Sequence, residues 1–315
     1  MKILLVAEES AGIQLLRALV QRNEHEISVF TSPPRASQNR ATVWSVAESL
    51  GLSPQHAALV RDPHFGPEVR SRQVDILLNV HSLFIIHPEI LKAPRLGCFN
   101  LHPGPLPRYA GLNAPSWAIY RGEPQHGVTV HRMEPEIDTG PIAFQALFDI
   151  DDNDTGLSLA ARCITKGVPL MLRLINAAAA DPQSIPRIEQ DLTKREYFGR
   201  EVPCNGKVSW SRPAREILNF IRAADYFPFP SPWGHPRTNR GALQIGVAKA
   251  SRAGRPADAP PGTVLEPEEN GVPIASLDEW ILVQKVQVGE KFFSASEVLR
   301  AGDQLCNGHD GTGES

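Results

Sequence analysis

The chain has 315 residues, a net charge of −3 at pH 7, 42% hydrophobic residues and 21% charged residues. This length is enough for two domains, and the composition is ordinary for a globular protein. The slightly negative charge argues against a protein built mainly to hold nucleic acid, because phosphate neutralisation needs clustered lysine and arginine. Residues 237–255 form one basic segment, and we expect a mobile, solvated loop there.

The N-terminal stretch and the cysteines indicate a cytoplasmic protein. Residues 1–10 are too short and too quickly acidic for a signal peptide, and we find no apolar run of the roughly 20 residues that spans a bilayer. The cysteines, Cys98, Cys163, Cys204 and Cys306, are far apart and lack zinc-ligand spacing. We therefore expect free thiols, no metal site and a cytoplasmic location.

Residues 1–102 alternate between strand-like and helix-like segments. The predicted strands are KILLVA, HEISVFTS, VDILLNV and LGCFNLH; the predicted helices are AGIQLLRALVQR, TVWSVAESLG, HFGPEVRSR and HPEILKAP. Strands alternating with helices give right-handed βαβ units. The predicted fold class is therefore α/β, a Rossmann-like, doubly wound, mostly parallel sheet.

The pattern changes beyond this alternating region. GVTVHRM and PIAFQALFDI are close in sequence and are predicted to form an antiparallel or edge pair of strands. A long amphipathic helix follows, for which Asp154 is a plausible N-cap and Thr155 an alternative. We expect residues 1–205 to form one domain.

The remainder predicts a small second domain, residues 206–305, followed by a flexible tail, residues 306–315. SRPAREILNFIRAAD predicts a helix with Ser211 as its N-cap and Pro213 in its first turn. The segments ALQIGVA, GTVLE, VPIAS and WILVQKVQV predict the short strands of a β-barrel. KASRAGRPADAPP, residues 249–261, is interpreted as a flexible insertion between two of these strands.

The stretch CFNLHPGPLPRYAGLNAPSW contains the first candidate site. Asn100 and His102 end a buried strand, and ligands of open α/β sheets bind beyond such carboxyl ends. Residues two apart in a strand point to the same side, so both side chains face one crevice. The prolines of the following segment fix the backbone at low entropic cost. The pattern indicates either a preorganised site or a strand end that merely caps a turn.

Asp138 is the third candidate. It lies among apolar and turn residues in EPEIDTGPI, where a buried carboxylate would need a partner such as histidine. The alternative is an Asx-turn aspartate. The first βα turn has only Gly12 and two glutamates where a dinucleotide site needs GxGxxG, so NAD or FAD binding is not expected.

These residues together resemble the 10-formyltetrahydrofolate-dependent formyltransferases, in the branch of the methionyl-tRNA, sugar and natural-product N-formyltransferases. The positions that match the family pattern are Asn100, His102, Pro103, Leu106, Pro107, Gly111, Gly127, Thr129, Asp138 and Gly140. Where the family usually has Ser-Leu-Leu-Pro, this chain has Gly-Pro-Leu-Pro. The resemblance implies the formyltransferase fold, followed by an OB-like carboxy-terminal barrel.

The resemblance also implies the activity, a transfer of the formyl group of 10-formyltetrahydrofolate to a primary amine. It makes Asn100 an oxyanion donor and His102 a proton acceptor, and it makes Asp138 the group that orients His102 and raises its pKa. The folate site would comprise the apolar residues Leu83, Phe84 and Ile85 and the segment Pro135, Glu136 and Ile137. Arg108, Tyr109 and Asn113 would contact the acceptor.

The resemblance leaves the acceptor open. We expect a small amine, either an amino sugar nucleotide or an amino-acid-derived intermediate of a siderophore or other natural-product pathway. Methionyl-tRNA formyltransferase is the first alternative, and a formyltetrahydrofolate hydrolase is the second. No membrane partner is expected and nucleic acid is disfavoured, while a homodimer stays open. We expect Phe227, Phe229 and Trp233 to anchor the second domain on the first.

Overall fold

The computed structural model describes residues 1–34, 40–82 and 84–306. The strands are β1 Lys2–Ala7, β2 Glu26–Thr31, β3 Gln55–His56, β4 Ile76–Val80, β5 Gly97–His102, β6 Ala110–Gly111, β7 Gln125–Arg132, β8 Ile142–Asp149, β9 Tyr197–Phe198, β10 Arg237–Arg240, β11 Leu243–Pro256, β12 Val272–Ala275, β13 Glu279–Val288 and β14 Lys291–Ser294. The α-helices are α1 Glu9–Arg22, α2 Val43–Ser49, α3 Phe65–Ser71, α4 Pro88–Leu91, α5 Ala114–Arg121, α6 Gly156–Ala180, α7 Ala214–Ala223 and α8 Ala295–Val298.

The chain forms two compact units. Unit 1 comprises Met1–Gly111, His126–Phe148 and Ala161–Tyr197; unit 2 comprises Leu112–Gln125, Asp149–Ala160 and Phe198–Ser315. The predicted domains, 1–205 and 206–305, stay predictions, because these units interleave segments of the chain rather than divide it at one point. Of the predicted tail, only Cys306 lies within the described residues.

Unit 1 is built on a seven-stranded sheet. Its strand order is β3-β2-β1-β4-β5-β7-β8. The pairs from β3 to β5 are all parallel, and β5 pairs antiparallel with β7. The predicted mostly parallel sheet is thus confirmed.

Both faces of this sheet are buried, as the continuous apolar strands require. In β1, Ile3 and Leu5 join one hydrophobic cluster, whereas Leu4 and Val6 join another on the opposite face. The first cluster includes the buried side of α1 and α6, and the second includes the buried side of α3. Side chains alternate between the two faces along each strand. This alternation decides which apolar residues are buried on each face and which polar residues at the strand ends lie on the same side.

Helix α6 lies close against the sheet of unit 1. A Cβ at Gly167 would meet Leu101 at 2.8 Å and Val128 at 3.0 Å, so glycine permits the close approach. The amide of Ser158 binds the Thr155 hydroxyl at 3.2 Å, which makes Thr155 the cap rather than Asp154. In the described part of the chain, α6 alone is long and apolar enough by composition to cross a membrane.

Unit 2 carries an antiparallel five-stranded sheet. The order is β10-β11-β13-β12, with β14 also paired to β13. Its core contains Trp210, Ile217, Ile245 and Val283, among others. Within residues 198–306 the strand order shows no pairing that closes this sheet, so the barrel stays a prediction.

The structure corrects two predictions of flexible segments in unit 2. Residues 237–255 are not a mobile loop, and residues 249–256 are not a flexible insertion, because β10 and β11 continue through both. Ser251 and Arg252 pair with Leu282 and Ile281 of β13. Arg252 also binds the Glu279 carboxylate, with 2.9 Å between Nε and Oε2. Cross-strand pairing therefore outweighs the local loop-like composition.

Helix α7 also begins differently from its prediction. Ser211 does not cap it, and Pro213 occupies the N-cap position. The first free amide, that of Ala214, instead donates to Asp278 Oδ1 at 2.8 Å. This acceptor comes from the turn before β13, 64 residues away, where local sequence rules give no signal.

The predicted aromatic anchors behave unequally. Trp233 is buried, and its ring packs against Trp117 with 5.0 Å between centroids, both residues belonging to unit 2. Phe227 and Phe229 are 62% and 45% exposed, so the prediction that they are buried anchors is wrong. The Nζ of Lys285 lies 4.4 Å from the Phe227 ring centroid.

The four cysteines are free thiols, as predicted. Cys98 and Cys163 are buried in unit 1, and burial raises the pKa of each to about 12. Cys204 and Cys306 are exposed. The buried pair is therefore protonated and apolar in character near neutral pH.

Candidate active site

The carboxyl end of β5 brings Asn100 and His102 to one side of the sheet in unit 1. Both side chains face the same way because they are two residues apart. On the neighbouring strand β7, Thr129 lies opposite His102, and His131 lies opposite Asn100. Two adjacent strands thus place four polar side chains in two opposed pairs.

Asp138 joins them from the segment after β7. Its backbone is left-handed, with φ of 58°, and its side chain is buried. The Gly111 amide donates to Asp138 Oδ2 at 2.8 Å, and Gln190 Nε2 donates to the Asp138 carbonyl at 2.9 Å. A side chain at Gly140 would collide with the carbonyl of Arg132, which explains the glycine two residues on.

Two buried histidines face the Asp138 carboxylate, one at each oxygen. His102 Nδ1 lies 3.4 Å from Oδ2, and His131 Nε2 lies 3.2 Å from Oδ1. Each ring is held at its other nitrogen by a backbone carbonyl. His102 Nε2 donates to the Tyr109 carbonyl at 2.7 Å, and His131 Nδ1 donates to that of Arg132 at 2.8 Å. A carbonyl only accepts, so these contacts place a proton on His102 Nε2 and on His131 Nδ1.

The buried setting shifts the charges of this group. Burial lowers the pKa of His102, and the facing carboxylate of Asp138 and the Tyr109 carbonyl offset this only in part. Burial opposes ionisation of Asp138, but His102, His131 and the Gly111 amide outweigh it and lower the pKa of that carboxyl. The predicted rise in the pKa of His102 is therefore wrong, because desolvation of the imidazolium dominates. The resting site pairs an ionised Asp138 with a neutral His102.

The amide of Asn100 is held from both sides. Its Oδ1 accepts a hydrogen bond from Asn79 Nδ2 at 2.9 Å. Its Nδ2 lies 3.2 Å from His131 Nε2 and 3.4 Å from Asp138 Oδ1. The side chain itself is only partly buried, so it is the member of the group most open to a ligand.

Hydrogen bonds as well as proline hold the loop after β5. The Thr129 hydroxyl donates to the Gly104 carbonyl at 2.7 Å and accepts from the Leu106 amide at 3.2 Å. Gln145 Nε2 donates to the Leu106 carbonyl at 3.0 Å, and His126 Nε2 donates to that of Pro103 at 2.9 Å. The rigid rim predicted from the prolines thus has a polar clamp, of which Gln145 and His126 gave no recognisable sequence signal.

The predicted folate residues have different surroundings. Leu83 lies outside the described residues. Phe84 is partly buried against a core cluster of unit 1, whereas Ile85 is 67% exposed. Residues 135–137 are exposed, and Arg195 donates to the Ile137 carbonyl at 3.0 Å. Exposed apolar side chains at 85 and 137 remain available to a ligand.

The three residues predicted to contact the amine substrate have different surroundings. Arg108 is exposed, and its Nε lies 3.4 Å from Glu196 Oε1. The Tyr109 ring is 1% exposed and packs edge-on against His126, so the structure gives this residue another role, that of holding His102 through its carbonyl. Asn113 belongs to unit 2, where it precedes α5 with a left-handed backbone.

Sequence reasoning missed Asn79, His131 and a further pair at the same sheet edge, Glu9 and His81. His81 Nδ1 lies 3.5 Å from Glu9 Oε2, and both residues have left-handed backbones. A polar residue inside ILLNV and the Thr-Val-His spacing of GVTVHRM were the available signals. Among residues 1–34, 40–82 and 84–306, no group of His, Cys, Asp and Glu could hold a metal ion.

Comparisons with known proteins bear on both units. A family model described as formyl transferase matches residues 1–175, and one described as formyl transferase, C-terminal domain, matches residues 202–302. A methionyl-tRNA formyltransferase of Legionella pneumophila is 28% identical over 297 residues, which cover 92% of this chain and 92% of that protein.

Two solved structures are similar in fold. One is an N-formyltransferase from Helicobacter canadensis in complex with folinic acid and dTDP-3-aminofucose, with a TM-score of 0.69 at 20% identity, covering 90% of this chain and 99% of that one. The other is WlaRD, a sugar 3N-formyl transferase in the presence of dTDP and 5-N-formyl-THF, with a TM-score of 0.70 at 22% identity, covering 90% and 97%.

The first family model spans more than half of the chain, and its match includes all three of Asn100, His102 and Asp138. The chain therefore belongs to the formyl transferase family.

Proposed function

We propose that this enzyme transfers the formyl group of 10-formyltetrahydrofolate to a primary amine of a small molecule. The observation that carries this proposal is the group at the end of β5, where an amide donor and a neutral imidazole each lie 3.4 Å from the same ionised carboxylate. Formyl transfer to an amine needs a donor for an oxyanion and an acceptor for a proton, and this group contains both.

Asn100 is the proposed oxyanion donor. When the amine nitrogen bonds to the formyl carbon, the carbonyl oxygen gains negative charge. A fixed N–H aimed at that oxygen stabilises the charge without reorganising first. Asn79 holds the oxygen of the Asn100 amide, and His131 and Asp138 hold one side of its nitrogen, so the N–H that points away from them is preoriented.

His102 is the proposed proton acceptor, through Nδ1. Its Nε2 already carries the proton donated to the Tyr109 carbonyl, so Nδ1 is the nitrogen with a free lone pair. Loss of a proton from the amine to Nδ1 forms an imidazolium beside the carboxylate of Asp138, which stabilises it. The C–N10 bond then breaks, and N10 takes up the proton.

The proposed folate cleft lies along the segments after β4 and β7. Phe84 and Met133, one from each segment, pack on the same hydrophobic cluster of unit 1. Ile85 and Ile137 remain exposed, as expected for side chains that cover an aromatic pterin. Carbonyl and amide groups of residues 135–137 would read the polar edge of the pterin ring.

The acceptor is proposed to be an amino sugar nucleotide or an amino-acid-derived intermediate. The basic segment of unit 2 favours a small acceptor over a polyanion, because three of its four arginines already face carboxylates. Arg240 lies 3.5 Å from Asp303, Arg252 binds Glu279, and Arg255 binds Glu268. These charges are partly neutralised and contribute less to phosphate binding.

Methionyl-tRNA formyltransferase is the second candidate. It is favoured by the curated relatives that carry this name, which are 28–29% identical over nine-tenths of the chain. A cytoplasmic location and a closed carboxy-terminal barrel are part of either proposal.

An acceptor panel tests the proposal. The full chain is incubated with 10-formyltetrahydrofolate and, separately, amino sugar nucleotides, amino-acid-derived amines and methionyl-tRNA, and the products are identified by mass spectrometry. We expect an N-formylated small amine, with kcat/KM changing little between low and high salt. Preferred formylation of methionyl-tRNA, with a steep loss at high salt, would replace this proposal with the second candidate.

A further inference from the structure

Three polar side chains form a row across three neighbouring strands of unit 1. Asn79 of β4 lies opposite Asn100 of β5, and Asn100 lies opposite His131 of β7. Directly opposed residues project on the same face of a sheet. The three side chains are accordingly hydrogen-bonded in line, from Asn79 Nδ2 to Asn100 Oδ1 and from Asn100 Nδ2 to His131 Nε2.

The direction of this row is set at its His131 end. The carbonyl of Arg132 can only accept, so the Nδ1 of His131 must donate to it. The ionised carboxylate of Asp138 also only accepts, and its Oδ1 lies 3.4 Å from Asn100 Nδ2 and 3.2 Å from His131 Nε2, so the amide nitrogen of Asn100 faces that side. The Oδ1 of Asn100 consequently faces Asn79, which must present its own nitrogen.

This arrangement leaves the side-chain oxygen of Asn79 without a hydrogen bond within the described residues. The Asn79 side chain is itself buried. An unpaired buried amide oxygen is unfavourable, and an apolar residue would avoid it. Asn79 Nδ2 lies 3.5 Å from the Ser82 carbonyl but 2.9 Å from Asn100 Oδ1, so the contact with Asn100 is the shorter of the two. The asparagine is therefore explained by its donor, which Asn100 uses.

We propose that Asn79 and His131 are positioning residues that fix the orientation of the Asn100 amide. The inference rests on the proposed function and deepens it, because it says what keeps the oxyanion donor correctly oriented. With the amide reversed, the Asn100 oxygen would face both His131 Nε2 and the Asp138 carboxylate, and its nitrogen would face the Asn79 amide. The row excludes that reversed state, so one N–H of Asn100 stays free for the formyl oxygen.

Side-chain replacements at the two ends of the row test the proposal. Asn79→Leu keeps a similar volume without the donor, and His131→Leu removes the ring nitrogen that lies 3.2 Å from Asn100 Nδ2. His131→Gln keeps an amide oxygen that can accept from Asn100 and serves as the conservative variant. Asn219→Leu is the matched control, since Asn219 is an equally buried asparagine of unit 2 that accepts from Arg222.

We expect both leucine variants at the row to lower kcat by about tenfold or more, with KM for 10-formyltetrahydrofolate within about twofold, because only the transition-state interaction is lost. His131→Gln should recover part of this loss. In an Asn100→Ala background, Asn79→Leu should not lower kcat further. If Asn79 acts only by orienting Asn100, its effect disappears once the Asn100 amide is gone. Asn219→Leu should leave kcat unchanged.

A second readout does not depend on activity. With ¹⁵N-asparagine labelling, the side-chain amide signal of Asn100, assigned by its absence in Asn100→Ala, should shift and exchange faster with solvent in Asn79→Leu, but not in Asn219→Leu. An unchanged signal, unchanged kcat, or an equal further loss in the Asn100→Ala background would overturn the proposal. If the wild type transfers no formyl group, the proposed function fails, while the amide signal still decides whether the row orients Asn100.

Discussion

The two units bury polar side chains in different ways. In unit 2 several buried polar side chains bind the backbone or the core of that unit. Trp210 Nε1 donates to the Thr238 hydroxyl at 3.1 Å, and Ser276 binds the backbone of Glu279 at 2.6 Å. In unit 1 the buried polar groups at the sheet edge bind one another as well as the backbone, as His102, His131 and Asp138 do.

This difference indicates which buried polar groups stabilise the fold and which are suited to catalysis. The polar groups of unit 2 satisfy donors and acceptors that the fold itself creates, so removing one should cost stability. Those at the edge of unit 1 gather two histidines and an ionised carboxylate in one buried group, an arrangement that the fold itself does not need. Left-handed backbones at Glu9, His81, Tyr109 and Asp138 add strain at the same edge, as is common at functional sites.

The largest expected effect is on turnover, when a polar side chain at the edge of the unit 1 sheet is replaced. Replacing His102 with Ala should lower kcat/KM by about 10²–10⁴-fold, the usual contribution of a general base, and Asn100→Ala by about 10²–10³-fold. Melting temperatures should fall only modestly, because each replacement removes hydrogen bonds but no member of a hydrophobic cluster. Steady-state kinetics and thermal unfolding of the same preparations measure both. Near-normal turnover in His102→Ala would remove it from the mechanism.

The converse change lies in unit 2. Trp210 is fully buried in the core of that unit. Trp210→Ala should lower the free energy of unfolding by about 3–5 kcal/mol, whereas kcat/KM per folded molecule should stay the same. Denaturant unfolding and active-site titration give the two values, and Trp210→Phe, which keeps most of the volume, should lie between. A loss of kcat/KM in the folded fraction of the milder variant would mean that the units do not divide their roles in this way.

Acid should weaken unit 1 through its buried histidine. The pKa of His102 is lowered by burial, so its contribution is present above the ordinary histidine value of about 6.5 and is lost as the pH falls through the folded value. Asp138, whose pKa is also lowered, adds a loss at more acidic pH. The free energy of unfolding should therefore fall as the pH drops below about 6.5, and less steeply in His102→Asn.

The same protonation should inactivate the site. The acidic limb of kcat/KM should lie below about pH 6.5, because the neutral ring is the active form. The limb should stay in place when amines of different basicity are used. A limb that moved with the amine would show that the substrate, rather than His102, titrates.

The smallest effect concerns the start of α7. Asp278→Ala removes the acceptor for the Ala214 amide and should cost about 0.5–2 kcal/mol of stability, with turnover unchanged. Ser211→Ala, at the position favoured by the sequence, is the matched control and should cost less. Equal losses of stability in the two variants would mean that Ser211 caps the helix after all.

Sequence patterns predicted unit 1 better than unit 2, for a physical reason. The apolar strands of unit 1 are buried on both faces, so their composition alone marks them, and Asn100 and His102 are polar exceptions at a strand end. In unit 2, β11 continues through polar residues such as Arg252, whose strand conformation depends on pairing with β13. The cap from Asp278 is likewise non-local.

The sequence allowed Asn100, His102 and Asp138 to be predicted as candidate site residues. It did not allow Asn79 and His131, which contact Asn100, to be predicted. Asn79 and His131 act through contacts between strands that are distant in sequence, and only the sheet register brings them to Asn100. The direction of the His102 pKa shift also depends on burial, which the spacing of Asp138 and His102 does not reveal.

The most direct measurement of the central claim follows the formyl carbon itself. 10-Formyltetrahydrofolate labelled with ¹³C in the formyl group is mixed with the full chain and a pool of small primary amines, and the label is followed by NMR in wild type and His102→Ala. The account predicts that wild type moves the label into an N-formyl product in the same amount as tetrahydrofolate forms, and that His102→Ala moves it far more slowly. Label released as formate without an amine product would make the protein a hydrolase and contradict the account.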